Sequence, residues 1–201
     1  CLRRSHPVPE ATRIAVVGAE STGKTALAQA LADHLSATSG LTVTWVPEVL
    51  REWCVHHGRT PRVDEQLHIA REQHARIERA AERHAVVVCD TTALMTSVYS
   101  RLIFGDDSLE APAIAWHRAI RLTLLTALDL PWVADGTMRD GPHVREPVDR
   151  EVRRLLATHA LPWALVQGSG AQRLQSALAA VRPCLPCLPC LPGGAGPAVR
   201  G

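Results

Sequence analysis

The sequence predicts an α/β fold in which a parallel sheet carries helices on both faces. Three observations predict it. Apolar strand candidates alternate with helix candidates along the chain, the order that builds crossovers between parallel strands. Two of the strand candidates, residues 13–17 and 85–90, are near-continuous apolar runs, as suits strands buried on both faces. Between the first of them and the next helix stands Gly18-Ala19-Glu20-Ser21-Thr22-Gly23-Lys24-Thr25, a loop of the pattern G-x-x-x-x-G-K-[ST]. Strand, glycine loop and helix in this order give the P-loop NTPase class. A later glycine-bearing loop with arginines adds the expectation of a nucleotide-kinase-like form with an arginine-bearing lid.

The chemistry of the loop resides in its backbone. Glycines let the chain curl so that several N–H groups point inward at phosphate oxygens, and the following helix adds its positive end. In that setting Lys24 reaches the β- and γ-phosphates and the Thr25 hydroxyl binds Mg2+, so ATP and Mg2+ are the expected cofactors. Lys24 is also the only lysine among the 22 Lys and Arg residues. A composition that disfavours lysine keeps one where a compact ammonium must sit against phosphates, a place that arginine's wide planar fork does not fit. A chance match in an ordinary loop does not explain that.

With 201 residues, 46% of them hydrophobic, the chain has material for one domain with a sizeable core. Aromatic residues make up only 3%, so Leu, Val, Ile and Ala must build that core. A net charge of +2 makes no case for nucleic acid as the main partner. No apolar run approaches membrane-spanning length, and residues 1–10 lack the apolar centre of a secretory signal. The six cysteines do not follow the pattern of a small disulfide-stapled secreted fold, so a reducing cytoplasm is expected. The expected organisation is an N-terminal extension over 1–11, the P-loop domain over 12–182 and a disordered Pro/Cys/Gly-rich tail over 183–201. Residues 183–192 repeat every third position, and proline at that period favours an extended, PPII-like rod. The cysteine spacing there suggests metal, but C-x-x-C pairs bind zinc around a folded knuckle.

In chain order, Leu27, Leu31 and Leu35 recur at helical spacing after the glycine loop. Residues 41–46, rich in β-branched side chains, form a second strand candidate that ends at Pro47-Glu48. Residues 49–57 read as a helix, 58–61 as a loop, and 63–84 as a long charged helix with few apolar positions. The strand over 85–90 ends in a carboxylate, and a helix over 91–104 follows. A short helix over 111–119 leads into 120–126, which reads either as a strand or as more helix. Residues 135–147 read as a polar loop, 148–159 as a helix, 163–167 as the last strand and 171–181 as the last helix.

Asp90, at the end of a buried strand, stands where an acid would hold Mg2+ through water; the alternative is a cap on the next helix. Glu48 and Arg51 lie just past the second strand, and in an open parallel sheet ligands sit beyond the carboxyl ends of strands. Glu48 is there placed to take or hold the proton of an acceptor hydroxyl, and Arg51 to bind the acceptor. The alternative for both is a surface ion pair three residues apart. Arg139 and Arg145 read as lid arginines that close over the moving phosphoryl, or as charges of a solvated loop. Trp132 and Asp135, with Gly136, shape an acceptor pocket, or Trp132 belongs to the core. Gly168-Ser169-Gly170 lies on the side of the nucleotide base, or is a plain turn.

Taken in order, Gly18–Thr25 with its Glu-Ser-Thr filling, Pro47-Glu48-x-x-Arg51-Glu52, Asp90-Thr91 and Pro131-Trp132-Val133-x-Asp135-Gly136 with Arg139-Asp140 resemble the NadR-type P-loop domain of the NadR-like AAA ATPase family. The resemblance spans about residues 13–181. It implies a ribosylnicotinamide kinase: ATP and Mg2+ on the donor side, and the 5′-hydroxyl of nicotinamide riboside as acceptor. Carried over by position, it implies that residues 18–25 hold the ATP phosphates and that Asp90 serves the metal and substrate centre. It further implies that Glu48 and Arg51 line the acceptor side and that Arg139 and Arg145 belong to the lid.

Overall fold

The computed structural model describes residues 10–133 and 142–185. Asp135, Gly136 and Arg139, most of the N-terminal extension and the tail beyond residue 185 lie outside the described residues. Five strands form one sheet: β1 (Thr12–Val17), β2 (Val43–Val46), β3 (Val86–Asp90), β4 (Leu122–Thr126) and β5 (Trp163–Val166). Every pairing is parallel, and the order across the sheet is β2-β3-β1-β4-β5. Between them run helices α1 (Lys24–Thr38), α2 (Val49–His57), α3 (Val63–Ala81), α4 (Ala93–Phe104), α5 (Glu110–His117), α6 (Arg145–Thr158) and α7 (Gly170–Val181). The parallel α/β class expected from the alternation is the one observed.

The continuous apolar strands are explained by the two cores they separate. Along β1, Ala15 and Val17 face one core while Ile14 and Val16 face the other; along β3, Val87 and Cys89 oppose Val86 and Val88. The first core is filled from α4 and α6 by Leu94, Met95, Val98, Val152, Leu155 and Leu156. The second is filled from α1 and α7 by Leu27, Leu31, Leu35, Ala177, Leu178 and Val181. A strand covered on both faces has no solvent side, so the period-two polarity of a half-exposed strand is absent. Burial also pushes the Cys89 thiol well above its ordinary pKa, so this cysteine is core, not chemistry.

Of the boundaries that differ from the sequence reading, two have a clear physical reason. The ambiguous run 120–126 is strand from Leu122 on, because α5 closes at His117 and Arg121 N–H then pairs with Arg13 O at 2.8 Å, joining the chain to β1. Arg145 is not in a loop that runs to Pro147; it opens α6, behind a 3-10 turn at Pro142–Val144. Pro147 falls in the first turn of α6, where an N–H has no helical acceptor and proline costs little.

One buried histidine ties the sheet to the helix layer. His117 is 2% exposed, with Nδ1 2.9 Å from Thr92 Oγ1 and Nε2 2.7 Å from Thr123 Oγ1. A neutral imidazole has one donor and one acceptor nitrogen, and two hydroxyls satisfy both. Burial pushes its pKa down to about 4 from 6.5. Between those values the unfolded chain binds the proton and the folded one does not, so stability is full above pH 6.5 and falls as pH drops toward 4. At ~1.4 kcal/mol per pKa unit the loss is about 3 kcal/mol. Urea unfolding in steps from pH 7 to pH 4.5 is expected to show this slope, and His117→Gln to remove most of it.

Candidate active site

The strand order reverses at β1, whose neighbours are β3 on one side and β4 on the other. A crevice opens at such a point beyond the carboxyl ends of the strands, and the glycine loop fills its floor. Gly18 has φ +147°, and a Cβ there would sit 2.2 Å from Thr126 Oγ1, so only glycine fits between β1 and the end of β4. Thr126 Oγ1 in turn donates to Val17 O at 3.1 Å and lies 2.7 Å from the Thr22 hydroxyl, which donates to Ala19 O at 2.8 Å. These bonds curl the loop around its own carbonyls. Gly23, at φ +74°, then turns the chain into α1 at Lys24, whose Nζ donates to Ala19 O at 2.8 Å.

Asp90 ends β3 beside this loop and is 1% exposed. Its carboxyl accepts a hydrogen bond from Thr25, while Oδ1 has no hydrogen-bond partner. Burial raises its pKa above the ordinary carboxylate value. The Thr25 bond opposes that rise, the charge of Glu48 adds to it, and Lys24 and Arg51 draw it down. Lys24, Thr25, Glu48 and Arg51 thus all act on one carboxylate. The alternative role of Asp90 as a helix cap is not observed: Thr92 caps α4, accepting from Leu94 N at 3.3 Å.

Glu48 stands in the turn between β2 and α2, with its side chain only 15% exposed and Oε2 3.7 Å from Arg51 Nε. The ion pair three residues apart is therefore real, and Arg51 nevertheless lines the main cleft. That cleft has a volume of about 540 Å³; Thr22, Gly23, Lys24 and Thr25 line one side, Leu130 and Val133 the other. Ser21 Oγ donates to Val133 O at 2.8 Å across its mouth. Trp132 is not among the lining residues; its indole Nε1 is buried without a hydrogen-bond partner. Arg145 is 9% exposed, and its Nη2 donates to Leu130 O at 2.9 Å, so it anchors the start of the loop between β4 and α6.

Two residues that the sequence reading did not single out hold this arrangement. Gln73, on α3 and 2% exposed, accepts from Val49 N–H at 2.8 Å and donates to Pro47 O at 3.3 Å. It clamps the turn on both sides of Glu48. Arg173, on α7 and 4% exposed, donates to Thr22 O at 2.9 Å and to Gly168 O at 2.7 Å, and pairs with Asp129. Gly168-Ser169-Gly170 is therefore more than a plain turn: it is bonded through Arg173 to the glycine loop. Ser169 and Gly170 start α7, and Asp129 Oδ2 accepts from Gly168 N at 2.7 Å.

A family model described as an AAA domain matches residues 13–173. The chain belongs to that AAA domain family. Solved structures similar to this AAA domain include a NadR protein in complex with NR, at a TM-score of 0.68 and 21% identity, covering 86% of this chain and 50% of that one. A NadR protein in complex with NAD and AMP-PNP gives 0.68 and 21%, covering 86% of this chain and 49% of that one. Thymidylate kinase from Ehrlichia chaffeensis gives 0.61 and 15%, covering 87% of this chain and 100% of that one. The AAA domain thus spans about half the length of the NadR structures it matches. No curated protein matches it in sequence. The likeness is one of fold, and that fold is the P-loop nucleotide-kinase type. Among the described residues no helix is long and apolar enough to cross a membrane.

Proposed function

We propose that this AAA domain is an ATP-dependent phosphotransferase that moves the γ-phosphate of ATP to the hydroxyl of a nucleoside-like acceptor, nicotinamide riboside first among them. The observation that carries this reading is the Asp90 carboxylate. It is buried beside the glycine loop, bonded to Thr25, and faced from the acceptor side by the Glu48–Arg51 pair. A structural neighbour bound to NR and another bound to AMP-PNP support the two halves of the reading.

In this mechanism the N–H groups of the glycine loop and the Lys24 ammonium surround the charge that spreads over the γ-phosphoryl oxygens. Glu48 holds the acceptor hydroxyl and takes its proton, and Arg51 orients the acceptor. Arg139 belongs to the loop that closes over the phosphates and excludes water, and Arg145, at the start of α6, anchors that loop through Leu130 O. The buried, unpartnered Asp90 Oδ1 and the Thr25 hydroxyl are hard oxygen donors, a set that fits Mg2+. Bound there, Mg2+ supplies neutralising charge to the β- and γ-phosphates. The domain works in the cytoplasm, where ATP is the donor.

Incubation with ATP, Mg2+ and nicotinamide riboside is expected to yield ADP and nicotinamide mononucleotide in equal amounts. Product no greater than that of a Lys24→Ala control overturns the assignment of this acceptor. A second reading is an ATP-binding regulatory module without transfer. It is favoured by the Glu48–Arg51 pairing, which turns the acid toward its own helix. Thermal stabilisation by Mg–ATP with none by any nucleoside decides for the module.

A further inference from the structure

Arg173 is a nearly buried cation, yet it pairs with one carboxylate and spends its other donors on two backbone carbonyls far apart in sequence. Burying a guanidinium is costly, and replacing such a pair with apolar side chains is often neutral or stabilising, so the pair alone is a weak reason for an arginine here. The carbonyl of Thr22 supplies a stronger one. A trans peptide is planar, with its C=O and the following N–H pointing in opposite directions, and the described chain has no cis peptide. Arg173 Nη1 holds Thr22 O on the α7 side of the loop at 2.9 Å. The Gly23 N–H of the same peptide is thereby aimed the other way, into the cleft that Gly23 lines.

Gly23 is the position where this orientation is least secure. With φ at +74° and no side chain, glycine rotates readily, and the Thr22–Gly23 peptide would flip at little steric cost. The Thr22 hydroxyl does not prevent the flip, because its bonds run to Ala19 O and Thr126, not to the Thr22–Gly23 peptide. We infer that Arg173 is a positioning residue for phosphate binding. It fixes the Thr22–Gly23 peptide so that the Gly23 N–H faces the phosphates, and Asp129 and Gly168 O hold its guanidinium in the plane that reaches Thr22. Arginine is required because three acceptors lie in three directions, which a planar fork serves and an ammonium does not. The inference rests on the reading of the cleft as a nucleotide site and is independent of the acceptor.

The test uses inorganic tripolyphosphate with Mg2+, which carries the phosphates without base or ribose, alongside Mg–ATP. Binding is followed by calorimetry, and ligand-free stability by urea unfolding. Arg173→Lys keeps the charge beside Asp129 but gives up the fork; it is expected to weaken tripolyphosphate about tenfold or more. Asp129→Asn loosens the pair while leaving the arginine on Thr22 O; it is expected to cost stability with a change in tripolyphosphate affinity of less than about threefold. The double variant Arg173→Met/Asp129→Asn removes both charges and is expected to keep the fold yet bind tripolyphosphate as weakly as Arg173→Lys. Wild-type affinity in Arg173→Lys or in the double variant overturns the inference while leaving the nucleotide site intact. A wild-type protein that binds neither ATP nor tripolyphosphate overturns the reading of the cleft itself.

Discussion

Lys24→Ala is expected to lower phosphoryl transfer by about 10²–10³-fold, the usual cost of removing one preorganised donor from a developing oxyanion. The magnitude follows from where the ammonium is held. Ala19 O accepts from both Lys24 Nζ and the Thr22 hydroxyl, at 2.8 Å each, so the amine is fixed to the inside of the glycine loop. A group already in place pays no reorganisation when charge moves to the transferring phosphoryl. Lys24→Arg is expected to fail as well, because the loop curls tightly around carbonyls spaced for an ammonium. Rates of ADP formation with nicotinamide riboside present, set beside ATP affinity, check both variants. Transfer within about threefold of wild type in Lys24→Ala would move the chemistry away from this loop.

The proposed donor half of the site is legible in the sequence because it is local. Eight consecutive residues carry the loop, and the apolar runs before it and before Asp90 announce strands covered on both faces. The proposed acceptor half is legible in part, since Glu48 and Arg51 follow a strand end and such ends gather at the crevice. What escaped was the support. Gln73 sits on a helix whose charged pattern reads as solvent-facing, and its partners Pro47 and Val49 lie more than twenty residues away. Arg173 acts on Thr22 across 151 positions, and no periodicity marks one arginine among many as buried. His117 was one of ten histidines without metal spacing, and only the fold brings Thr92 and Thr123 to its two nitrogens. Arg145 was misplaced for a local reason: Pro147 reads as the end of a loop, although a helix accepts proline in its first turn.

These supports divide the labour of the site. Gln73 fixes the turn that carries Glu48, Arg173 fixes the glycine loop, and the Thr92–His117–Thr123 chain fixes the start of α4 just after Asp90. Each one spends buried polar groups on backbone carbonyls, amides and hydroxyls, and each is satisfied where it stands. Asp90 Oδ1, at the centre, is by contrast a buried oxygen without a hydrogen-bond partner. A fold that leaves this carboxylate oxygen bare beside the glycine loop bears part of its cost where the chemistry is proposed.

Asp90→Asn is expected to separate that cost from that chemistry. Transfer falls by about 10²-fold or more, since the charge facing Thr25 and the proposed metal is lost. Ligand-free stability at neutral pH moves the other way and rises, because a neutral amide is cheaper to bury than a carboxylate with one bare oxygen. The pH dependence carries the same sign. Burial first, and the charge of Glu48 after it, put the folded pKa of Asp90 above its ordinary value, despite the Thr25 bond. Just below that raised pKa the folded protein binds a proton that the unfolded chain does not, so this group makes wild type more stable as pH falls through it. The His117 effect runs the opposite way and is common to both proteins, so the difference between wild type and Asp90→Asn isolates the carboxylate. The advantage of Asp90→Asn should be full at neutral pH and shrink as pH falls through the raised pKa. Saturating Mg–ATP should reverse the order at neutral pH, stabilising wild type more than the variant. A variant that is less stable without ligand at every pH would show that the Asp90 carboxylate is a structural bond and not a held charge.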